Sequence, residues 1–395
     1  QESTWMDGGN ADYEMDIIEE ATGKLPAIRG LDFMNGDFDG VVQRAKEWHE
    51  QGGIVTIMWH TGVNGRGYTE SLNDNPDFDL ILTEGTPEYE AMIANWDQAA
   101  EALTELRDAG IPVIWRPFHE FDGQWFWWGK GGADNFIKLW QMMYDYFTDE
   151  YNLTNLIWCL GYSGSVRDGW YPGDEYCDII GSDSYDSFAN NTNKNGWDRL
   201  QNVTDADKPL AFHECGIVPS VDAFESDGTI WSWFMIWHST YITDNDEANL
   251  NELYNSDLVI TLDELPDLET YTPDDTPDSD SSSETDESSE DVSDSSESQA
   301  DSSSQTSADN SSEAPADDSS LESPADDSSA DSGSQPESPA DDSSEVPSVD
   351  TSNNDQSSTG GDNVVDDNPT TGAAVAGVSA LTVVAAAMMA VRKRK

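Results

Sequence analysis

The first 265 residues predict an α/β fold, a (β/α)8 TIM barrel. Short apolar runs rich in β-branched and aromatic residues alternate with helical stretches, as in repeated strand–helix units. The runs are continuously apolar rather than alternating, which marks a parallel sheet buried on both faces. The length of this aromatic-rich part matches one barrel of this type.

The elements follow in order. Residues 11–22 have helical spacing. Strands are predicted at 27–33, 54–59, 111–117, 155–160, 178–183, 210–214 and 232–237. The clearest helix spans 91–109, with Gly110 as its stop. These are seven strands, and a closed barrel takes eight. The expectation is that strand one lies upstream of Gln1 and that 11–22 is the helix after it. Ile114 then falls on strand four and Phe212 on strand seven.

Composition divides the chain. Its net charge is -63, from 17 Lys and Arg against 80 Asp and Glu. Residues 266–367 are mostly Ser, Asp, Glu, Pro and Thr, and Pro-Ala-Asp-Asp-Ser-Ser recurs at 315–320, 324–329 and 339–344. Such a segment buries too little apolar surface to offset its ordering entropy, so a disordered, extended spacer is expected. No basic patch suits nucleic acid. Cys159, Cys177 and Cys215 are an odd number, leaving one disulfide or buried free thiols open. Cys215 has no base beside it by spacing and is expected to pack.

Residues 368–395 form a third unit. Asn368-Pro369-Thr370-Thr371-Gly372 precedes an uncharged run at 373–391 and the basic end 392–395. The run is long enough to span a bilayer, with the basic end cytoplasmic. The three-part order resembles a sortase cell-wall sorting signal of Gram-positive bacteria. That resemblance implies cleavage between Thr371 and Gly372, sortase and peptidoglycan as partners, and an extracellular, wall- or membrane-anchored domain. A plain tail anchor is the alternative. Either topology calls for a secretory leader, so a trimmed precursor or an incomplete N-terminus is expected.

The segment Trp115 to Gly129 carries the chemistry. An apolar run ends in His119-Glu120, and a dense aromatic loop follows, Trp125-Phe126-Trp127-Trp128. Glu214 ends a second such run behind His213. Barrel active sites lie at the C-terminal strand ends, and paired carboxylates there suit glycoside hydrolysis. His60, Asp183, Tyr185, Trp237 and His238 also stand at strand ends. Adjacent side chains diverge, so the four aromatics cannot all point inward. Trp125 is expected to face the cleft, with Trp127 and Trp128 divided between core and loop packing. Arg116 is expected to neutralise a buried carboxylate, and Asp122 to cap a turn.

This constellation resembles glycoside hydrolase family 26, over residues 11–260. The resemblance rests on His119-Glu120, Gly123, Trp125 to Gly129, and Glu214 before Gly216. It implies Glu120 as general acid/base and Glu214 as nucleophile of a retaining double displacement. It also implies that His60, His119, Trp125, Asp183, Tyr185 and Trp237 line the subsite at the scissile bond. The family's prevailing substrate is β-1,4-mannan, with mixed-linkage glucan and β-1,3-xylan as alternatives. His238 follows Trp237 where another polar residue is common in the family, which leaves the sugar preference open.

Two other readings differ in class. A metal-dependent barrel hydrolase would draw ligands from the strand-end histidines and Asp183, but no His-X-His or His-Glu-X-X-His spacing occurs. No metal or other cofactor is therefore expected. A non-catalytic, wall-anchored carbohydrate-binding protein accounts for the aromatics but not for both glutamates. A monomer is expected.

Overall fold

The computed structural model describes residues 1–4, 9–268, 270 and 271. Seven parallel strands pair strictly in chain order. They are β1 (Ile28–Asp32), β2 (Ile54–Trp59), β3 (Val113–Pro117), β4 (Leu156–Tyr162), β5 (Ile179–Ser184), β6 (Leu210–Cys215) and β7 (Trp233–Ile236). The helices are α1 (Tyr13–Thr22), α2 (Phe38–Glu50), α3 (Tyr68–Ser71), α4 (Phe78–Ile81), α5 (Pro87–Asp108), α6 (Ala133–Asp149), α7 (Lys194–Leu200), α8 (Val221–Asp227), α9 (Thr240–Thr243) and α10 (Glu247–Tyr254). The longest, α5, starts earlier than its apolar spacing suggests. Thr86 accepts a hydrogen bond from Tyr89 N and Pro87 occupies the first turn, both strong start signals.

The strands read as continuously apolar because they are buried on both sides. One set of side chains meets the helices. The other set, including Ile54, Ile114, Ile157, Ile179, Ala211 and Trp233, fills the barrel interior. One pleat further toward the C-terminal ends, the interior positions are Thr56, Arg116, Gly161, Gly181 and His213. The barrel thus changes from apolar to polar along its axis, and the polar layer supports the functional face.

The seam between β7 and β1 is where the eighth strand, strand one, is expected. Gln1 N donates to Ile236 O at 2.9 Å, and Glu2 N donates to Gly30 O at 3.0 Å. Residues 1–3 therefore sit in the seam between β7 and β1. Glu2 is buried there and pairs with Arg29 (3.0 Å) and Arg44 (2.8 Å). Its charge is matched, so these polar residues can be buried at the seam.

Cys159, Cys177 and Cys215 are all free and buried, which settles the disulfide alternative. Among the described residues no helix is long and apolar enough to cross a membrane. The expected apolar span 373–391, the sorting signal with Thr371 and Gly372, and nearly all of the 266–367 spacer lie outside the described residues.

Candidate active site

The loop after β3 is built around two unusual backbone conformations. Phe118 and Glu120 both have positive φ, 52° and 51°. A non-glycine residue holds this conformation only when its surroundings fix it. Here Glu120 N donates to Gly161 O at 2.8 Å, and Phe118 is fully buried. Asp122 does more than cap a local turn. It accepts from Ser163 N (2.8 Å) and Arg167 N (3.1 Å), tying this loop to the one after β4.

The aromatic run divides as its side-chain geometry requires. Trp127 and Trp128 are buried and donate to Thr61 O (2.9 Å) and His119 O (2.7 Å). Phe126 stacks on Trp128 at 4.5 Å. Trp125 is 48% exposed, and its Nε1 donates to Glu120 Oε2 at 3.0 Å. Gly123 makes room for that ring. A Cβ there would stand 2.1 Å from it.

Glu214 reaches the same space from β6. The β5–β6 ladder pairs Ser182 with Phe212 and then Asp183 with Glu214, so His213 is an extra residue. This β-bulge breaks the alternation that would send neighbouring side chains to opposite faces. His213 and Glu214 consequently both approach Asp183. Ligating atoms of Asp183, His213 and Glu214 lie within 4.8 Å of one another. Tyr185 Oη donates to Glu214 Oε2 at 2.5 Å, and Arg116 Nη1 stands 3.9 Å from Glu214 Oε1.

The two glutamates sit in unequal surroundings. Burial first, then the Glu214 charge, push Glu120 up to about 8, partly opposed by hydrogen bonds with Trp125 and Asp183. Burial also raises Glu214, but Arg116, Tyr185 and His60 oppose it. Asp183, between them, is held well above the usual carboxylate range by burial and both glutamate charges. Glu120 is thus inclined to be a proton donor, while at Glu214, also raised by burial, Arg116 and Tyr185 work in favour of the anion.

The remaining predicted residues frame this cluster. His60 Nδ1 meets Asp32 Oδ2 at 2.5 Å, and its ring lies 4.5 Å from His119 and 6.1 Å from Trp237. Burial first, then neighbouring His60, His213 and Arg116, depress His119 well below the ordinary histidine range. His119 Nδ1 and Glu214 Oε1 are buried without a protein hydrogen-bond partner. Such atoms are costly unless something completes them, and sugar hydroxyls are suited to do so. A hollow of about 590 Å³ opens on the side of His60 and Tyr68 that faces α5, and neither Glu120 nor Glu214 lines it.

Sequence reasoning missed Asp32, Tyr68 and Phe126. Asp32 is the last residue of β1 and the next to last of the run 27–33, much as Asp183 ends 178–183. Tyr68, 4.8 Å from His60, opens the short helix α3 just after a glycine-rich loop and carries no such mark. The Asp183, His213 and Glu214 triad does not suit a cation. Both His213 nitrogens are engaged, Nδ1 by Asp183 (2.8 Å) and Nε2 by Arg116 (3.0 Å), and the guanidinium faces the group.

A family model for glycosyl hydrolase family 26 matches residues 7–264. The chain belongs to this family. A mannan endo-1,4-beta-mannosidase of Thermothelomyces thermophilus is 32% identical over 287 residues, covering 67% of this chain and 57% of that protein. One from Bacillus subtilis is 33% identical over 226 residues, covering 51% and 61%. Among solved structures, a family 26 protein of Muricauda sp. is 34% identical with a TM-score of 0.60, covering 65% of this chain and 89% of that one. A β-mannanase from a symbiotic protist of the termite Reticulitermes speratus, in complex with gluco-manno-oligosaccharide, is 32% identical. Its TM-score is 0.60, with 67% and 88% covered. This family 26 chain spans about half the length of the curated relatives it matches, 57% and 45% of the first two.

Proposed function

We propose that the chain is a retaining endo-β-1,4-mannanase that cleaves mannan, glucomannan or galactomannan by double displacement. The observation that carries the reading is the unequal treatment of two converging carboxyls, with Glu120 pushed up to about 8 while Arg116 and Tyr185 favour the anion of Glu214. The choice of mannan is supported by relatives whose names specify mannan endo-1,4-beta-mannosidase. Glu214 attacks the anomeric carbon while Glu120 protonates the departing oxygen. Water then opens the glycosyl-enzyme with Glu120 acting as base. This route needs the carboxyls roughly 5–5.5 Å apart. Once Glu214 is esterified its charge is gone, and the main electrostatic reason for a raised Glu120 disappears. That change suits Glu120 to its second role. Tyr185 steadies the nucleophile, and His60, His119, Trp125, Asp183 and Trp237 hold the sugar.

Replacing Glu120 by Ala tests the assignment. An activated aryl mannoside needs little protonation, so glycosylation should survive and deglycosylation should stall, giving a burst that azide rescues. Wild-type kinetics in both steps would end the assignment. The products from mannan, barley β-glucan and β-1,3-xylan decide the polysaccharide. We further propose that the domain is displayed outside a Gram-positive cell through residues 368–395, on the pentapeptide, apolar run and basic tail alone. Release of the protein with the wall fraction by a muramidase, abolished in a sortase-deficient host, is the result that reading requires.

A further inference from the structure

We propose that His213 is a positioning residue of the carboxyl cluster. It is a neutral imidazole, fixed by Arg116 in the Nδ1–H tautomer, that occupies Asp183 Oδ1 and leaves Oδ2 available to Glu120 and Glu214. The inference rests on the assignment of those two glutamates above.

The tautomer follows from donor chemistry. Arg116 Nη1 lies 3.0 Å from His213 Nε2. A guanidinium only donates, so Nε2 must accept. The ring proton is then on Nδ1, 2.8 Å from Asp183 Oδ1. A second proton on Nε2 would point into the guanidinium, so the ring stays neutral. Arg116 cannot turn away. Its Nε donates to Thr56 Oγ1 (3.0 Å), its Nη2 to Gln1 Oε1 (3.2 Å), and its plane lies over Trp233 at 5.7 Å. The result is a one-way chain from a fixed cation through a neutral ring to a carboxyl.

The barrel is shaped around this ring. A Cβ on Gly161 would stand 2.4 Å from His213 Nε2, and one on Gly181 would stand 2.8 Å from His213 Cβ. Two adjacent strands thus give up their side chains where the imidazole lies. The bulge at His213 then lets the ring and Glu214 share one side of the sheet. Packing alone asks for none of this directionality, because a leucine would fill the space.

The charged and titratable groups around the ring are Arg116 from β3, His119 and Glu120 from the following loop, Asp183 from β5 and Glu214 beside it on β6. The Trp233 ring of β7 closes the other side at 6.1 Å. The Nδ1–H is the donor that His213 directs at this carboxyl cluster. Removing it disfavours every ionised form of the coupled carboxyls, so their titration moves up as a group.

Two measurements test this on the full chain. The first is the pH dependence of hydrolysis of linear β-1,4-mannohexaose. His213→Leu fills the space without a donor, and should move the alkaline limb of kcat/KM up by about one pH unit and cost about tenfold in kcat. His213→Asn returns an N–H near the Nδ1 position and should restore the limb. Equal limbs in Leu, Asn and unaltered proteins overturn the proposal. The second needs neither substrate nor a variant that folds. Nitrogen-15 histidine spectra of the unaltered protein should show the His213 ring, assigned by its coupling across the hydrogen bond to the Asp183 carboxyl, neutral and protonated on Nδ1 from pH 5 to 9. Protonation on Nε2, or a cation in this range, overturns it. If the unaltered chain hydrolyses no mannan while the spectra show the Nδ1–H ring, the functional reading has failed and the positioning has not.

Discussion

Replacing Trp125 by Phe separates the two things this side chain does. Its ring is 48% exposed toward the cleft, and its Nε1 donates to Glu120 Oε2 at 3.0 Å. Phe keeps the aromatic face and loses only the donor. A hydrogen bond to a charged group contributes roughly 1.5–3 kcal/mol when dry. With the ring about half in solvent, screening reduces this to about 1 kcal/mol. At about 1.4 kcal/mol per pH unit, the change is about 0.7 unit. The sign follows from the state that is stabilised. The indole N–H favours the Glu120 anion, so its loss raises the pKa from its present value of about 8. The acid form then persists to higher pH, and the alkaline limb of kcat/KM moves up. The assay is a pH series on an aryl mannobioside with a poor leaving group, which needs the acid. A substrate with a good leaving group is the control, and its limb should move less. An alkaline limb that stays in place or moves down refutes the pairing of Trp125 with the acid.

Other outcomes follow from the same geometry. Gly123→Ala places a methyl 2.1 Å from the Trp125 ring and must displace it. The alkaline limb should move up as in Trp125→Phe, with a several-fold rise in KM on mannan read from initial rates. Arg116→Met leaves the buried Glu214 carboxylate without its cation at 3.9 Å, which should cost about 3–5 kcal/mol at neutral pH by urea unfolding. The loss should shrink in acid, where the carboxyl is protonated and needs no partner. Alkylation of the denatured, unreduced protein should modify three thiols, because Cys159, Cys177 and Cys215 are free. Modification of a single thiol would contradict the buried, unpaired arrangement.

The strands were legible because both faces are buried, so each appears as an unbroken apolar run. Their ends were less so. Ile111 looks like strand, yet its N–H returns to Leu106 O and closes α5, and β3 begins at Val113. The seam segment carried no strand signal, since Gln1, Glu2 and Ser3 are polar and the burial of Glu2 is made tolerable by two arginines from elsewhere in the chain. At the site, Glu120 and Glu214 were visible as carboxylates ending apolar runs. The bulge at His213 was not, because period two assigns His213 and Glu214 to opposite faces. Nor were the partners of Asp122, which are backbone groups 41 and 45 residues away. Position along a strand reveals which side chains reach the functional face. Contacts between successive loops decide what those side chains do, and sequence spacing does not encode them.

The central claim is that Glu214, alone among the three clustered carboxyls, bonds to the sugar. A 2-deoxy-2-fluoro-mannobiosyl fluoride forms the glycosyl-enzyme and slows its hydrolysis, so peptide mass spectrometry can locate the bond. The expected result is one disaccharide per chain, on Glu214. An adduct on Asp183 or Glu120, or none while the same protein turns over mannan, contradicts the account.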